Sequence, residues 1–176
     1  MARTARIDLR SFQQELANRL ASKTAAQVQS SRLGLACGGE RWLIRLVDAA
    51  EVVAVPRIAG VPLTRRWFLG LANIRGNLYC VVDFAAFLGR EAIVTPGTGS
   101  QSRLVLFGSR AADLRVGIVV QGVLGLRNLA EFEPMPPPAD APLWYGQRWV
   151  DPESCAWQEI DLARLVEDPA FLCVGL

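Results

Sequence analysis

A chain of 176 residues, 51% hydrophobic and only 20% charged, is long enough to bury one sizeable core and too apolar to be a disordered tail. Its formal charge of +2 is too small to mark a nucleic-acid binder, and the count of 0 histidines removes the commonest general base, proton shuttle and metal ligand. No P-loop, GxSxG elbow or dinucleotide fingerprint is present, so the sequence points away from an enzyme and implies no cofactor and no metal.

The first segment, DLRSFQQELANRL, spaces Leu9, Phe12, Leu16 and Leu20 by three, four and four, which predicts an amphipathic helix. Ser11 and Gln14 fit a capping box, with Asp8 as a possible cap one turn earlier. The polar stretch ASKTAAQVQSSR follows as a linker, so residues 1–33 are expected to form a helical appendage and residues 34–176 the main domain. Arg3, Arg6, Asp8 and Arg10 interrupt any signal-peptide core, and the longest apolar run, Val116 to Leu126, is broken by Gln121 and too short to span a bilayer. A cytoplasmic protein with no direct membrane insertion is the expectation. Cys37, Cys80, Cys155 and Cys173 form no CxxC pair and read as small core residues in a reducing compartment. Of the 19 basic residues all but Lys23 are arginine, the residue suited to planar ion pairs at interfaces, although GC-rich coding yields the same bias.

From residue 34 onward short apolar runs alternate with Gly, Pro, Asn and Asp punctuation. Strands are predicted near 34–37, 41–47, 52–55, 69–75, 78–83, 102–108, 114–120, 122–128 and 156–160. DFAAFLG reads as a short helix capped by Asp83 and stopped by Gly89, and DLARLVEDPAF as a second that begins at Asp161 and ends before Pro169. VTPGTGSQS reads as a flexible connector and EFEPMPPPADAP as one stiffened by five prolines. Many short strands with little helix between them suggest small closed barrels.

The stretch WFLGLANIRGNLYCVVDF places Arg75-Gly76-Asn77 at the tip of an apolar hairpin. A two-residue turn mixes polar and apolar side chains on both faces. A three-residue loop instead gathers Ala72, Ile74, Leu78, Cys80 and Val82 on one apolar face, which is the preferred register. Ile74, Leu78, Cys80, Val82, Val105, Ile118 and Val120 are then expected in the core.

FLGLANIRGNLYCVVDFAAFLG resembles the signature of the CheW-like adaptor family: a glycine, an Asn-x-Arg-Gly turn, a hydrophobic strand ending in Asp, and a short helix. LACGGERWLIRLVDAAEVV, VPRIAGVP and RVGIVVQGVLGLRNL resemble further family segments in the same order. The N-terminal helix, WFLGLANIRG and DLARLVEDPAFL are similar to the members that serve type IV pilus twitching motility. The resemblance implies a mainly β fold of two intertwined small five-stranded β-barrels, with the N-terminal helix and short connecting and C-terminal helices. It implies a non-catalytic adaptor that couples the cytoplasmic tip of a methyl-accepting chemoreceptor to a CheA-type histidine kinase, peripheral to the inner membrane through receptor arrays. Gly70, Asn73, Arg75, Gly76 and Asp83 fall on the family signature, with Glu51 as a further match, and are the expected protein-binding residues. Gln121, where chemotaxis adaptors usually carry an aspartate, and the polar run WQEID depart from the pattern.

Two other readings are a flagellar-type chemotaxis adaptor and, from a different class, a small β-barrel binding single-stranded nucleic acid with Trp67, Tyr79 and Trp42 as stacking platforms. The absence of an arginine-aromatic stripe argues against nucleic acid. The N-terminal stripe carries its own expectation: if it packs on the main domain, deleting residues 1–22 uncovers apolar surface, at about 25 cal/mol per Å². The shortened chain should then melt earlier or self-associate; equal melting of two monomeric chains would assign the stripe to a partner.

Overall fold

The computed structural model describes residues 30–93, 102–108 and 114–176. The predicted N-terminal helix and nearly all of the VTPGTGSQS connector lie outside these residues. The described chain forms strands β1 (Ser31–Cys37), β2 (Glu40–Arg45), β3 (Ala49–Ala54), β4 (Phe68–Ile74), β5 (Asn77–Asp83), β6 (Arg103–Phe107), β7 (Val116–Val120), β8 (Gly122–Asn128), β9 (Glu133–Met135), β10 (Tyr145–Val150) and β11 (Ala156–Ile160). Three short helices accompany them: α1 (Phe84–Phe87), α2 (Leu162–Leu165) and α3 (Pro169–Leu172).

The strands form two sheets, a six-stranded one in the order β8-β1-β2-β11-β10-β9 and a five-stranded one in the order β3-β6-β7-β5-β4. The expected pair of five-stranded barrels is therefore corrected in two respects: one sheet gains β9 as an edge, and neither ladder of strands closes on itself. The chain passes into the five-stranded sheet through a 3₁₀ turn at Leu46–Asp48 and returns at Gln121, whose N–H donates to Ala36 O at 3.0 Å.

Both faces of the five-stranded sheet are buried. Val82, Val105, Ile118 and Val120 face the six-stranded sheet and share a core with Leu35, Trp42 and Ile44. Val81, Leu104, Leu106 and Val119 form a second cluster on the opposite face with Ala72. This double burial explains why RLVLF and VGIVV read as continuous apolar runs. It also overturns the three-residue hairpin loop. Ile74 pairs with Asn77 and Asn73 with Leu78, so the turn has two residues, Arg75 and Gly76. Where both faces are covered, apolar parity no longer reports register. Leu78, assigned to the core by that parity, is 56% exposed. Ile74 and Cys80 are half-buried, and the other four expected core residues are buried.

The β9–β10 pair was missed. β9 contains Pro134 and pairs only with β10, an edge position where a missing N–H costs nothing. β10, YGQRWV, lacks the apolar alternation that marked the other strands. The helix expected to begin at Asp161 and end before Pro169 is present as α2, and a further helix, α3, follows it. α2 is capped by Asp161, and Pro169 opens α3 at a position suited to its fixed φ, capped by Asp168 on Ala170 N. The polar WQEI of β11 is internal yet satisfied. Gln158 donates to Gly146 O and Glu159 O, both at 3.0 Å. Glu159 accepts from Arg32 Nε at 2.6 Å and from Trp149 Nε1 at 3.2 Å. Such pairing is what lets polar side chains sit in a central strand.

The four cysteines are free thiols. Burial, aided by Asp83 and Glu40, pushes the Cys37 thiol up to about 12, so it behaves as a core residue; Cys173 is exposed and does not fit that reading. No helix among the described residues is long and apolar enough to cross a membrane.

Gly70 sets the packing of β4. Its φ is +127°, and a Cβ there would lie 2.1 Å from Ala59 O, a backbone atom that cannot step aside. Gly70→Ala should therefore lose about 3 kcal/mol or more in urea unfolding. Gly76→Ala, at φ +83° with nothing within 4 Å, should lose about 1 kcal/mol. Equal losses at the two positions would contradict this packing.

Candidate protein-binding site

The β4–β5 turn has positive φ at both central residues, 52° at Arg75 and 83° at Gly76, the pattern of a type I′ turn that matches strand twist. Glycine adopts this backbone freely, whereas arginine does so at a cost of about 1 kcal/mol. The side chain of Asn73 offsets that cost by accepting the Gly76 N–H at 2.9 Å. The Asn-x-Arg-Gly pattern thus has a local reason: asparagine ties the turn, glycine completes it, and arginine is held at its apex.

Arg75 is 77% exposed at its side chain and donates through Nη2 to Glu51 Oε1 at 2.7 Å. Glu51 belongs to β3 and Arg75 follows β4, and these strands are the opposite edges of the five-stranded sheet. In a flat sheet four strand spacings of about 4.8 Å would separate the edges by roughly 19 Å. The sheet must therefore curl until its edges approach. Ala59 and Leu71 complete the approach with reciprocal backbone hydrogen bonds of 2.8 and 2.9 Å. The ion pair lies across this seam.

The structure divides the six expected residues. Asn73, Arg75, Gly76 and Glu51 come together at the tip. Gly70 is buried against Ala59, and Asp83 is 0% exposed. Asp83 accepts from Ala86 N at 3.1 Å, capping α1, and from Ile93 N at 2.7 Å. Its backbone N–H donates to Trp67 O at 2.8 Å, so it fastens the far end of the hairpin. Sequence reasoning missed Leu78, exposed opposite Asn73. The correct hairpin register would have shown Leu78 on the side of Asn73.

The aromatic residues offered for base stacking are otherwise occupied. Trp42 is fully buried and donates Nε1–H to Cys37 O at 3.1 Å. Trp67 packs among Phe68, Phe87 and Phe171, and Tyr79 lies against the second core cluster. A groove of about 690 Å³ runs between the 138–142 segment and β10–β11, lined by Arg41, Tyr145, Arg148 and Trp157 among others. Nearby, Asp151, Glu153 and Cys155 bring three potential metal-ligand atoms within 4.8 Å of one another. Their geometry is that of the β10–β11 turn itself. Asp151 Oδ1 accepts from Glu153 N and Cys155 N, and Oδ2 accepts from Trp157 Nε1. The Trp157 hydrogen bond is the main cause that holds the Asp151 carboxyl below its usual range.

The comparisons with known proteins agree with this architecture. The CheW-like domain matches residues 32–168. Protein PilI of Pseudomonas aeruginosa is 29% identical over 164 residues, covering 90% of this chain and 89% of that one. The crystal structure of the scaffolding protein TtCheW from Thermoanaerobacter tengcongensis superposes with a TM-score of 0.65 at 20% identity, covering 81% of this chain and 95% of that one. The likeness to TtCheW concerns the fold alone, while the domain match spans most of the sequence. The chain belongs to the CheW-like family, a family of non-catalytic scaffolds.

Proposed function

We propose that this protein is a cytoplasmic, non-catalytic adaptor that couples the cytoplasmic tip of a methyl-accepting chemoreceptor to a CheA-type histidine kinase. The likeness to PilI supports placing it in type IV pilus twitching motility. The observation that carries the reading is the hairpin tip. Arg75 stands on a turn whose backbone conformation is unfavourable for arginine, beside an acidic partner and near the exposed Leu78. An exposed ion pair is worth only about 0–1 kcal/mol to stability, so the strained turn is poorly explained by folding alone.

A receptor helical hairpin supplies what the tip can hold: an apolar stripe for Leu78, and carboxylates or carbonyls for the Arg75 guanidinium. Asn73 and Gly76 fix the turn, Glu51 orients the guanidinium, and Gly70 and Asp83 keep the hairpin rigid from within. The adaptor then acts by holding receptor and kinase in geometries that favour or disfavour phosphorylation, which is the kinase's chemistry.

Arg75→Ala tests this. Stability should change by no more than about 1 kcal/mol in urea unfolding. Affinity for the purified receptor cytoplasmic fragment, measured by calorimetry, should fall at least about tenfold, or about 1.4 kcal/mol. Unchanged affinity would remove Arg75 from the binding surface, and a large stability loss with unchanged affinity would make it structural.

A further inference from the structure

A second groove, of about 420 Å³, lies beside the edge strand β8, with Leu124, Leu126 and Phe132 among its lining. Leu126 is 62% exposed, and Leu124 and Phe132 are half-buried. The Trp157 ring also lines it and lies on Gly34, where a Cβ would stand 3.0 Å from the ring. Phe132 meets that ring edge-on at 6.0 Å, and Arg41 and Arg127 stack over it at 5.5 and 5.3 Å from its centroid. These contacts give the groove a packed wall with an apolar opening.

The groove begins where the described chain begins. Ser31 pairs with Asn128, itself part of the lining. Residues 1–29 lead to this point and carry the stripe Leu9, Phe12, Leu16 and Leu20. Ten residues, Ala21 to Ser30, separate Leu20 from Ser31 and can span at most about 36 Å. The seven residues of β8 extend only roughly 20 Å from Asn128, so the stripe can reach the whole groove. At helical rise Leu9 to Leu20 measures about 17 Å, close to the length of β8.

The chemistry of the two surfaces also matches. At helical spacing Glu15 and Arg19 fall on one side of the apolar stripe. The groove offers Arg127 to the first, and Glu131 or Glu153 to the second. None of these three groove residues is in an ion pair among the described residues. A segment on so short a tether meets the groove at an effective concentration on the order of millimolar, which favours it over a separate protein.

We infer that the N-terminal segment docks on its own domain, laying Leu9, Phe12, Leu16 and Leu20 into the groove of Leu124, Leu126 and Phe132 beside β8. The docking is independent of the adaptor reading, since neither receptor nor kinase takes part in it. Hydrogen exchange of the full chain, read by mass spectrometry, tests the contact from both sides. In wild type the amides of residues 9–20 should exchange at least about tenfold more slowly than in a free peptide of that sequence. Leu126→Asp should abolish this protection although it lies more than a hundred positions away, with a melting curve confirming the fold. Leu126→Ala, which only shortens the side chain, should move exchange in the same direction, so the test holds even if the aspartate variant does not fold. Leu16→Asp should in turn speed exchange at 122–132.

Leu143→Asp, at a position 80% exposed and outside the groove, should change neither segment. Protection of 9–20 that survives both Leu126 variants overturns the inference. Its absence in wild type does so too, and leaves the stripe to a separate partner. Protection that fades on dilution gives the groove to the N-terminal segment of a second copy and likewise overturns it.

Discussion

The two backbone hydrogen bonds between Ala59 and Leu71 join what the strand order keeps apart. β3 and β4 are the outermost strands of the five-stranded sheet, and nothing in the ladder of strands brings them together. The segment after β3 does so by returning along β4, at a distance so short that residue 70 has no room for a side chain. Once the sheet has curled to this seam, Glu51 and Arg75 meet at 2.7 Å although 24 residues separate them in sequence. The ion pair is thus a consequence of closure rather than its cause.

Magnitudes support that order. An ion pair with one partner 77% exposed contributes at most about 1 kcal/mol, no more than the cost of holding arginine at positive φ. The hairpin is held instead by its buried end. Val81 and Val82 enter separate core clusters on the two faces, and the Asp83 carboxylate ties β5 to α1 and to Ile93. A fully buried carboxylate with two backbone N–H donors is expensive to disturb. The hairpin is therefore buried at its base and exposed at its tip, with Arg75 beyond the end of β4. That distribution suits a scaffold, which must present a binding surface in a fixed position without changing shape to do so.

How much of this was legible in the sequence depended on how each feature is encoded. Most strands announced themselves as apolar runs between Gly and Pro, and Asp83, Asp161 and Gly89 marked helix ends by local chemistry. β9 and β10 escaped because a proline-bearing edge strand and the polar YGQRWV carry neither signal. The hairpin register was misread because parity presumes one wet face, whereas the base of this sheet is buried on both. Of the candidate site, the Asn-x-Arg-Gly turn was visible locally, while Glu51 came only from the family resemblance, since pairing across a seam leaves no periodicity. The internal roles of Gly70 and Asp83 depend on contacts with Ala59 and Ile93 that no spacing rule anticipates.

The central claim is that one chain bridges two proteins and holds the receptor through its Arg75 tip, and bridging itself can be measured. Receptor cytoplasmic fragment is immobilised on beads, and recruitment of soluble kinase is recorded with wild-type adaptor, with Arg75→Ala, or with no adaptor. Wild type should recruit the kinase. Arg75→Ala should recruit far less, because its hold on the receptor is at least about tenfold weaker. Recruitment by Arg75→Ala at the wild-type level would contradict the account.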